Sequence, residues 1–232
     1  KNKRTKNIGV IIPDIVHHFF TTVFRGIEKY ANEKGYNVIV CISDESIEKE
    51  VINMEMLANG SIDGFILSLS AETQLKNEYT HLKELLDQGI PIVLFDRVTS
   101  EIECDKVVLN DREIAWEAVG HFIKGGANNI ALVTTEKYFN VSESRRNGYL
   151  DAIFAIQCMS IIQELGFNVP NDISIIGFTD GILSRFSVPR LSTVAQHGEI
   201  MGERAAKLLI DRMESVDEVE EPFKTEVINA TL

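Results

Sequence analysis

Basic residues are scarce in this chain: 23 Lys and Arg stand against 35 Asp and Glu, a formal net charge of −12 over 232 residues. Nucleic acid is gripped through its phosphates by a positive surface, so this balance speaks against the chain holding DNA or RNA by itself. The one basic run, Lys1, Lys3, Arg4 and Lys6, lies at the extreme N-terminus and on charge alone reads as a solvated tail. Cysteine is sparse as well. Cys41, Cys104 and Cys158 are an odd number without metal-ligand spacing, which fits a reducing, cytoplasmic compartment rather than a disulfide framework. Cys41, in an apolar run, reads as a small buried hydrophobe. No stretch is long and apolar enough to cross a membrane, and the N-terminus has no signal-peptide core. Gly-x-Ser-x-Gly, Walker, Gly-x-Gly-x-x-Gly and His-Glu-x-x-His patterns are all missing. Neither an enzymatic activity nor a metal nor a cofactor is therefore expected.

What is there is an alternation of apolar runs and amphipathic stretches. Ile8 to Ile12 has strand length and stops at Pro13-Asp14; Val23, Ile27, Tyr30 and Ala31 then share one helical face, Gly35 ends the helix, and Val38-Ile39-Val40 begins the next run. This β-α-β unit places an acid, two histidines (His17, His18) and two phenylalanines (Phe19, Phe20) just past a strand's carboxyl end, where open parallel sheets bind ligands. Ser46 is a good N-cap for a helix carrying Ile47, Val51, Met54 and Leu57. Phe65-Ile66-Leu67 is a strand, Leu75 to Gln88 reads as one helix, and Ile92 to Phe95 is a strand ending at Asp96-Arg97. Val107 to Leu109 is a short strand, and Asp111 caps the helix that Gly125-Gly126 ends. Runs with little alternation indicate strands covered on both faces. The class is doubly wound α/β.

The pattern restarts at Ile130 to Val133 and continues through helices at 142–153, 156–165 and 200–213, a strand at Ile173 to Phe178 and a last short one at Glu226 to Ile228. A single sheet would be unusually wide, so two parallel-sheet lobes are expected. Residues 1–7 form a linker, 8–126 the N-terminal lobe (with a C-terminal segment crossing back) and 127–232 the C-terminal lobe. One junction does not parse. Only Phe154-Ala155 separates two helical patterns, too little for the strand and loop that a parallel connection needs. This reads as an omission of several tens of residues near 153–156, with a natural deletion as the alternative. A measured intact mass near 26.0 kDa would rule out the omission.

Six motifs in order, among them Ile8 to Asp14 with Phe19-Phe20, Gly89 to Arg97, Ser144 to Tyr149, Val169 to Phe178 and Pro189 to Val194, resemble the effector-binding domain of LacI/GalR-type bacterial transcription regulators. The resemblance implies a periplasmic-binding-protein-like fold with a small ligand between two lobes. It also implies a homodimer, its face including the helix at Ile47 to Leu57, and operator DNA bound through an N-terminal helix-turn-helix domain absent from this sequence. Lys1 to Asn7 then looks like the trailing edge of a hinge.

Ligand-binding candidates follow residue by residue. Asp96 matches the family's Asp-Arg motif, where a carboxylate accepts from sugar hydroxyls; the other reading is a partner for Arg97. Arg145, three residues before Gly148, matches a ligand-contacting arginine, against the plainer reading of a surface ion pair. Phe19 and Phe20 match positions that pack on a ligand ring, or else anchor the helix start. Asp14 touches ligand or satisfies turn amides. Thr179-Asp180 departs from the family's paired acids, since Thr179 replaces the first and removes its charge. Gln196 matches a further cleft position, or is an ordinary crossover residue. His17 and His18 are rim positions at most. The expected function is a regulator's sensor for a small effector, a sugar or sugar derivative. A stand-alone sugar-binding protein for transport or chemosensing is the alternative, told apart by what the full reading frame encodes upstream.

Overall fold

The computed structural model describes residues 4–15, 18–125, 161–168, 171–177, 181–215 and 221–232. They fall into two compact units: one comprises residues up to Val108 together with Gly198–Ile228, and the other lies mainly between Leu109 and His197, with Asn229–Leu232.

The first unit is built on β1 (Asn7–Ile12), α1 (His18–Glu33), β2 (Asn37–Ile42), α2 (Ile47–Ala58), β3 (Gly64–Leu67), α3 (Ala71–Lys76), α4 (Thr80–Asp87), β4 (Ile92–Phe95) and β5 (Asp105–Leu109). The sheet order is β2-β1-β3-β4-β5, closed at its far side by β8 (Thr225–Ile228). The pairs β1–β2, β1–β3, β3–β4 and β4–β5 are parallel. The central strands β1, β3 and β4 are buried because both faces are covered. Ile11, Phe65, Leu67, Ile92 and Leu94 point to one side and pack with Met54, Leu57, Leu82 and Leu85 of α2 and α4. The opposite side is covered by α1 and by the long helix near the C-terminus.

The stretch expected as one helix from Leu75 to Gln88 is instead two. Asn77 turns left-handed (φ 50°), and its N–H donates to the Gln74 and Thr73 carbonyls. That closes α3 after six residues, a C-terminal geometry asparagine tolerates. The described part of the basic N-terminal run keeps its side chains in contact with solvent, but its backbone is pinned. Asp63 accepts from the backbone N–H groups of Thr5 and Lys6, both at 2.8 Å. The Lys6 ammonium lies 3.1 Å from Glu214 and 4.0 Å from the Tyr36 ring centroid.

The described elements of the second unit include α5 (Asp111–Lys124), β6 (Ile176–Gly177), α6 (Ile182–Phe186) and β7 (Ser192–Thr193), with β6 and β7 parallel. Ala195 and Thr231 form an antiparallel bridge, and Ile114, Ala118, Val194 and Ala230 make a small core. The chain then returns to the first unit as α7 (Gly198–Glu214) and β8. Asp105 at the start of β5 is 1% exposed and receives Arg212 of α7 at 2.5 Å and the Lys224 backbone N–H at 2.8 Å. This fastens the returning segment to the sheet edge.

Asp111 opens α5 in a buried position, and burial, with Glu113 nearby, pushes its carboxyl from the ordinary 3.8 up to about 7. The native state therefore holds this proton more tightly than the unfolded chain. Between about pH 4 and pH 7 it binds more protons than the unfolded state, so this group's contribution to stability falls as pH rises through that window. Asp111→Asn, which cannot ionise, is expected to be more stable than the parent at pH 8, by on the order of 2–4 kcal/mol. The advantage shrinks towards pH 4, as followed by urea unfolding at each pH.

Candidate functional site

The carboxyl ends of β1 to β4 converge on one edge of the first unit's sheet because all four strands run parallel. Asp96 follows β4 directly. It is 5% exposed, its N–H donates to the Val107 carbonyl at 3.0 Å, and its backbone is left-handed at φ 59°. A buried, non-glycine residue in that region is held there by its surroundings, and such positions cluster at ligand sites. Arg97, next in sequence, reaches back over the edge. One of its Nη atoms is 2.6 Å from Glu45 in the turn between β2 and α2. Its guanidinium lies 5.7 Å from the centroid of Phe20.

Phe20 and Phe19 occupy the first turn of α1, which starts just past β1. Both rings are buried. Their centroids are 5.5 Å apart, and Phe20 meets Phe95 edge-on at 6.2 Å and 72°. Phe20 thus packs against Phe95 at the end of β4 and lies under Arg97, the arrangement expected of a helix anchor. Asp14 sits half-buried in the turn after β1, and His18 is exposed at the start of α1.

Two hydroxyls at the same edge escape sequence reading. Ser43 follows β2 and Ser68 follows β3; both are fully buried, and among the described residues neither hydroxyl has a hydrogen-bond partner. A buried unpaired hydroxyl is costly and asks for a ligand or water. The sequence signal for them was only their place at the end of an apolar run. Glu45 carries no sequence signal beyond its place next to a helix start. Its backbone, with that of Asp44, is left-handed (φ 58° and 51°).

The structure brings Asp14, Phe19, Phe20 and Asp96 into the first unit and places Gln196, 5% exposed, in the second. Arg145, Thr179, Asp180 and His17 lie outside the described residues. Among the described residues no three acids, histidines or cysteines are grouped to hold a metal ion, and no helix is long and apolar enough to cross a membrane. Cys104 is buried, which pushes its thiol up to about 11.

The chain as a whole has known counterparts. Residues 5–164 match the family described as periplasmic binding proteins and sugar binding domain of LacI family. The chain belongs to the LacI family. Residues 151–232 match a periplasmic binding protein-like domain. Among this family's members, catabolite control protein A of Priestia megaterium is 30% identical over 280 residues, covering 99% of this chain and 83% of that protein. The HTH-type transcriptional repressor PurR of Aliivibrio fischeri is 25% identical, covering 97% of this chain and 79% of the other. The 280-residue alignment exceeds the chain's own 232 residues, so the pairing leaves positions without a counterpart.

Solved structures show the same fold. The transcriptional regulator CelR in complex with cellobiose superposes with a TM-score of 0.83 at 18% identity, covering 99% of this chain and 84% of that one. A LacI family transcriptional regulator from Enterococcus faecium with bound ribose gives 0.79 at 24% identity, covering 97% and 96%.

Proposed function

We propose that this chain is the effector-sensing and dimerisation part of a transcription regulator, and that the edge carrying Asp96 is one wall of its effector site. The observation that carries this reading is Asp96 itself: a buried carboxylate held in a left-handed turn at the end of a central parallel strand, with Arg97 and Phe20 beside it. A carboxylate there accepts from ligand hydroxyls, and an aromatic and guanidinium floor suits a ring. The effector is a sugar or sugar derivative, in line with the family's description and with relatives seen with ribose and cellobiose. Arg145, Thr179, Asp180 and Gln196 are further ligand-contact candidates in this reading.

The relatives are named as transcriptional repressors and regulators of helix-turn-helix type. Operator DNA is then bound through a domain of that kind, and effector and DNA affinities are linked reciprocally. Dimerisation through α2 is supported by Ile52 and Met56, spaced i, i+4 on that helix and more than half exposed. The long alignment supports the reading that the relative carries residues this sequence lacks.

A thermal-shift screen of sugars, sugar phosphates and nucleobases tests the proposal. A ligand at a hundred times its dissociation constant stabilises by about 2.7 kcal/mol, a rise of roughly 5–10 °C for a chain of this size. Asp96→Ala and Arg145→Ala are each expected to abolish that rise while the protein still unfolds cooperatively. Normal binding by both variants means the site is elsewhere.

A further inference from the structure

We infer that Glu45 sets the charge class of the effector: by pairing with Arg97 it makes this wall select an uncharged polyhydroxylated ring over the phosphorylated form of the same sugar. The inference rests on the effector reading above and adds to it which chemical class fits.

The geometry starts with the turn after β2. Asp44 and Glu45 are consecutive non-glycine residues in the left-handed region, a combination that L-residues avoid. Glu45 is kept there by what it holds. Its Oε2 accepts from Arg97 Nη1 at 2.6 Å and from the Ala71 backbone N–H, at the start of α3, at 2.7 Å. Its carbonyl accepts from the Glu72 N–H at 3.3 Å, and the Glu72 carboxylate in return accepts from the Ile47 N–H, at the start of α2, at 3.0 Å. Glu45 is thus tied to the starts of both helices, and Arg97 is tied to Glu45. The Arg97 side chain is 12% exposed, so it has little freedom to turn to another anion.

The consequence is electrostatic. An arginine at a strand's carboxyl end is the residue best suited to grip a phosphate or carboxylate in two-pronged fashion. Here its charge is already met by a carboxylate, and its flat face is turned to Phe20. Asp14 and Asp96 at the same edge are acids. A phosphorylated ligand arriving at this wall meets an arginine whose charge is already paired with Glu45, so the wall offers it little gain in charge pairing. A neutral polyol meets carboxylate acceptors, the hydroxyl of Ser68, buried and without a partner among the described residues, and a ring floor. Glu45 is a positioning residue in this scheme: it acts on the ligand through Arg97.

The test uses the purified chain and two matched pairs of probes, D-ribose with D-ribose 5-phosphate and D-glucose with D-glucose 6-phosphate, measured by thermal shift and calorimetry. The parent is expected to be stabilised by a neutral member and not by its phosphorylated partner. Glu45→Gln removes the counter-charge and is expected to lower the neutral-to-phosphorylated affinity ratio at least tenfold; Glu45→Asp, which keeps the charge, retains the parent's preference. A parent that binds the phosphorylated sugar equally or better overturns the inference and leaves the effector reading standing. So does a folded Glu45→Gln variant with an unchanged ratio. A parent stabilised by none of the four probes counts against the sugar-effector reading, and the inference falls with it. Should Glu45→Gln not fold, the parent's own discrimination between the pairs decides.

Discussion

Gly202→Ala is expected to lower stability by about 2–4 kcal/mol, seen as a lower urea midpoint with an unchanged slope. In most helices this change is favourable, since alanine is the better helix former by about 1 kcal/mol. Here α7 crosses α1 so closely that a Cβ on Gly202 falls 2.0 Å from the Val23 carbonyl oxygen and 2.8 Å from the Ile27 nitrogen. These are backbone atoms and cannot swing aside, so the helices must separate. The reciprocal position is as tight: a Cβ on Gly26 lands 2.0 Å from the Glu199 carbonyl oxygen. Parting the helices loosens Val23, Ile27, Ala205 and Leu209, all fully buried. Overpacking of this kind costs about 1–3 kcal/mol and more where the backbone must move. Gly120→Ala in α5 is the internal control. No atom lies within 4 Å of its added Cβ, so only the propensity gain of up to about 1 kcal/mol remains. If Gly202→Ala is as stable as the parent, the close crossing of α1 and α7 is wrong.

Glu50→Ala is expected to cost about 3–5 kcal/mol, although Glu50 lies on a helix rich in charge. Its side chain is fully buried and accepts from the Ser70 N–H at 2.7 Å, the Thr73 hydroxyl at 2.8 Å and His81 Nε2 at 2.9 Å. One carboxylate therefore joins α2 to the start of α3 and to α4. Truncation leaves three buried polar groups without their acceptor, at roughly 1–3 kcal/mol each before relaxation, and opens a cavity. Glu50→Gln keeps the shape and one acceptor oxygen, so it is expected to lose about half as much. Equal losses for the two variants in chemical unfolding refute a role for the hydrogen bonds and leave only packing. Because Ser70 and Ala71 start the helix that Glu45 also holds, Glu50→Ala is further expected to increase hydrogen exchange at the Ala71 and Thr73 amides.

Most of the scaffold was legible. Ile8 to Ile12, Phe65 to Leu67 and Ile92 to Phe95 are continuous apolar runs because both faces of these strands are covered, and that is visible in residue order alone. Ser46 was readable as an N-cap, and its hydroxyl accepts from the Lys49 N–H. Asp96 was readable because it stops such a run. The break at Asn77 was not, since propensity and apolar spacing both carry through it and only the local hydrogen bonds end α3. Glu50 was misleading for a related reason. It sits beside Val51 on the inward stripe, where sequence expects an apolar residue, and its partners come from 20 to 31 positions away.

Sequence alone determined the fold class and the family, because these depend on local periodicity and on motifs kept in order. Tertiary structure decided what Arg97 does. Its charge is unmistakable in the sequence, but whether that charge is offered to a ligand or already satisfied depends on Glu45, 52 residues earlier. Only folding brings the end of β4 and the turn after β2 within reach of one another.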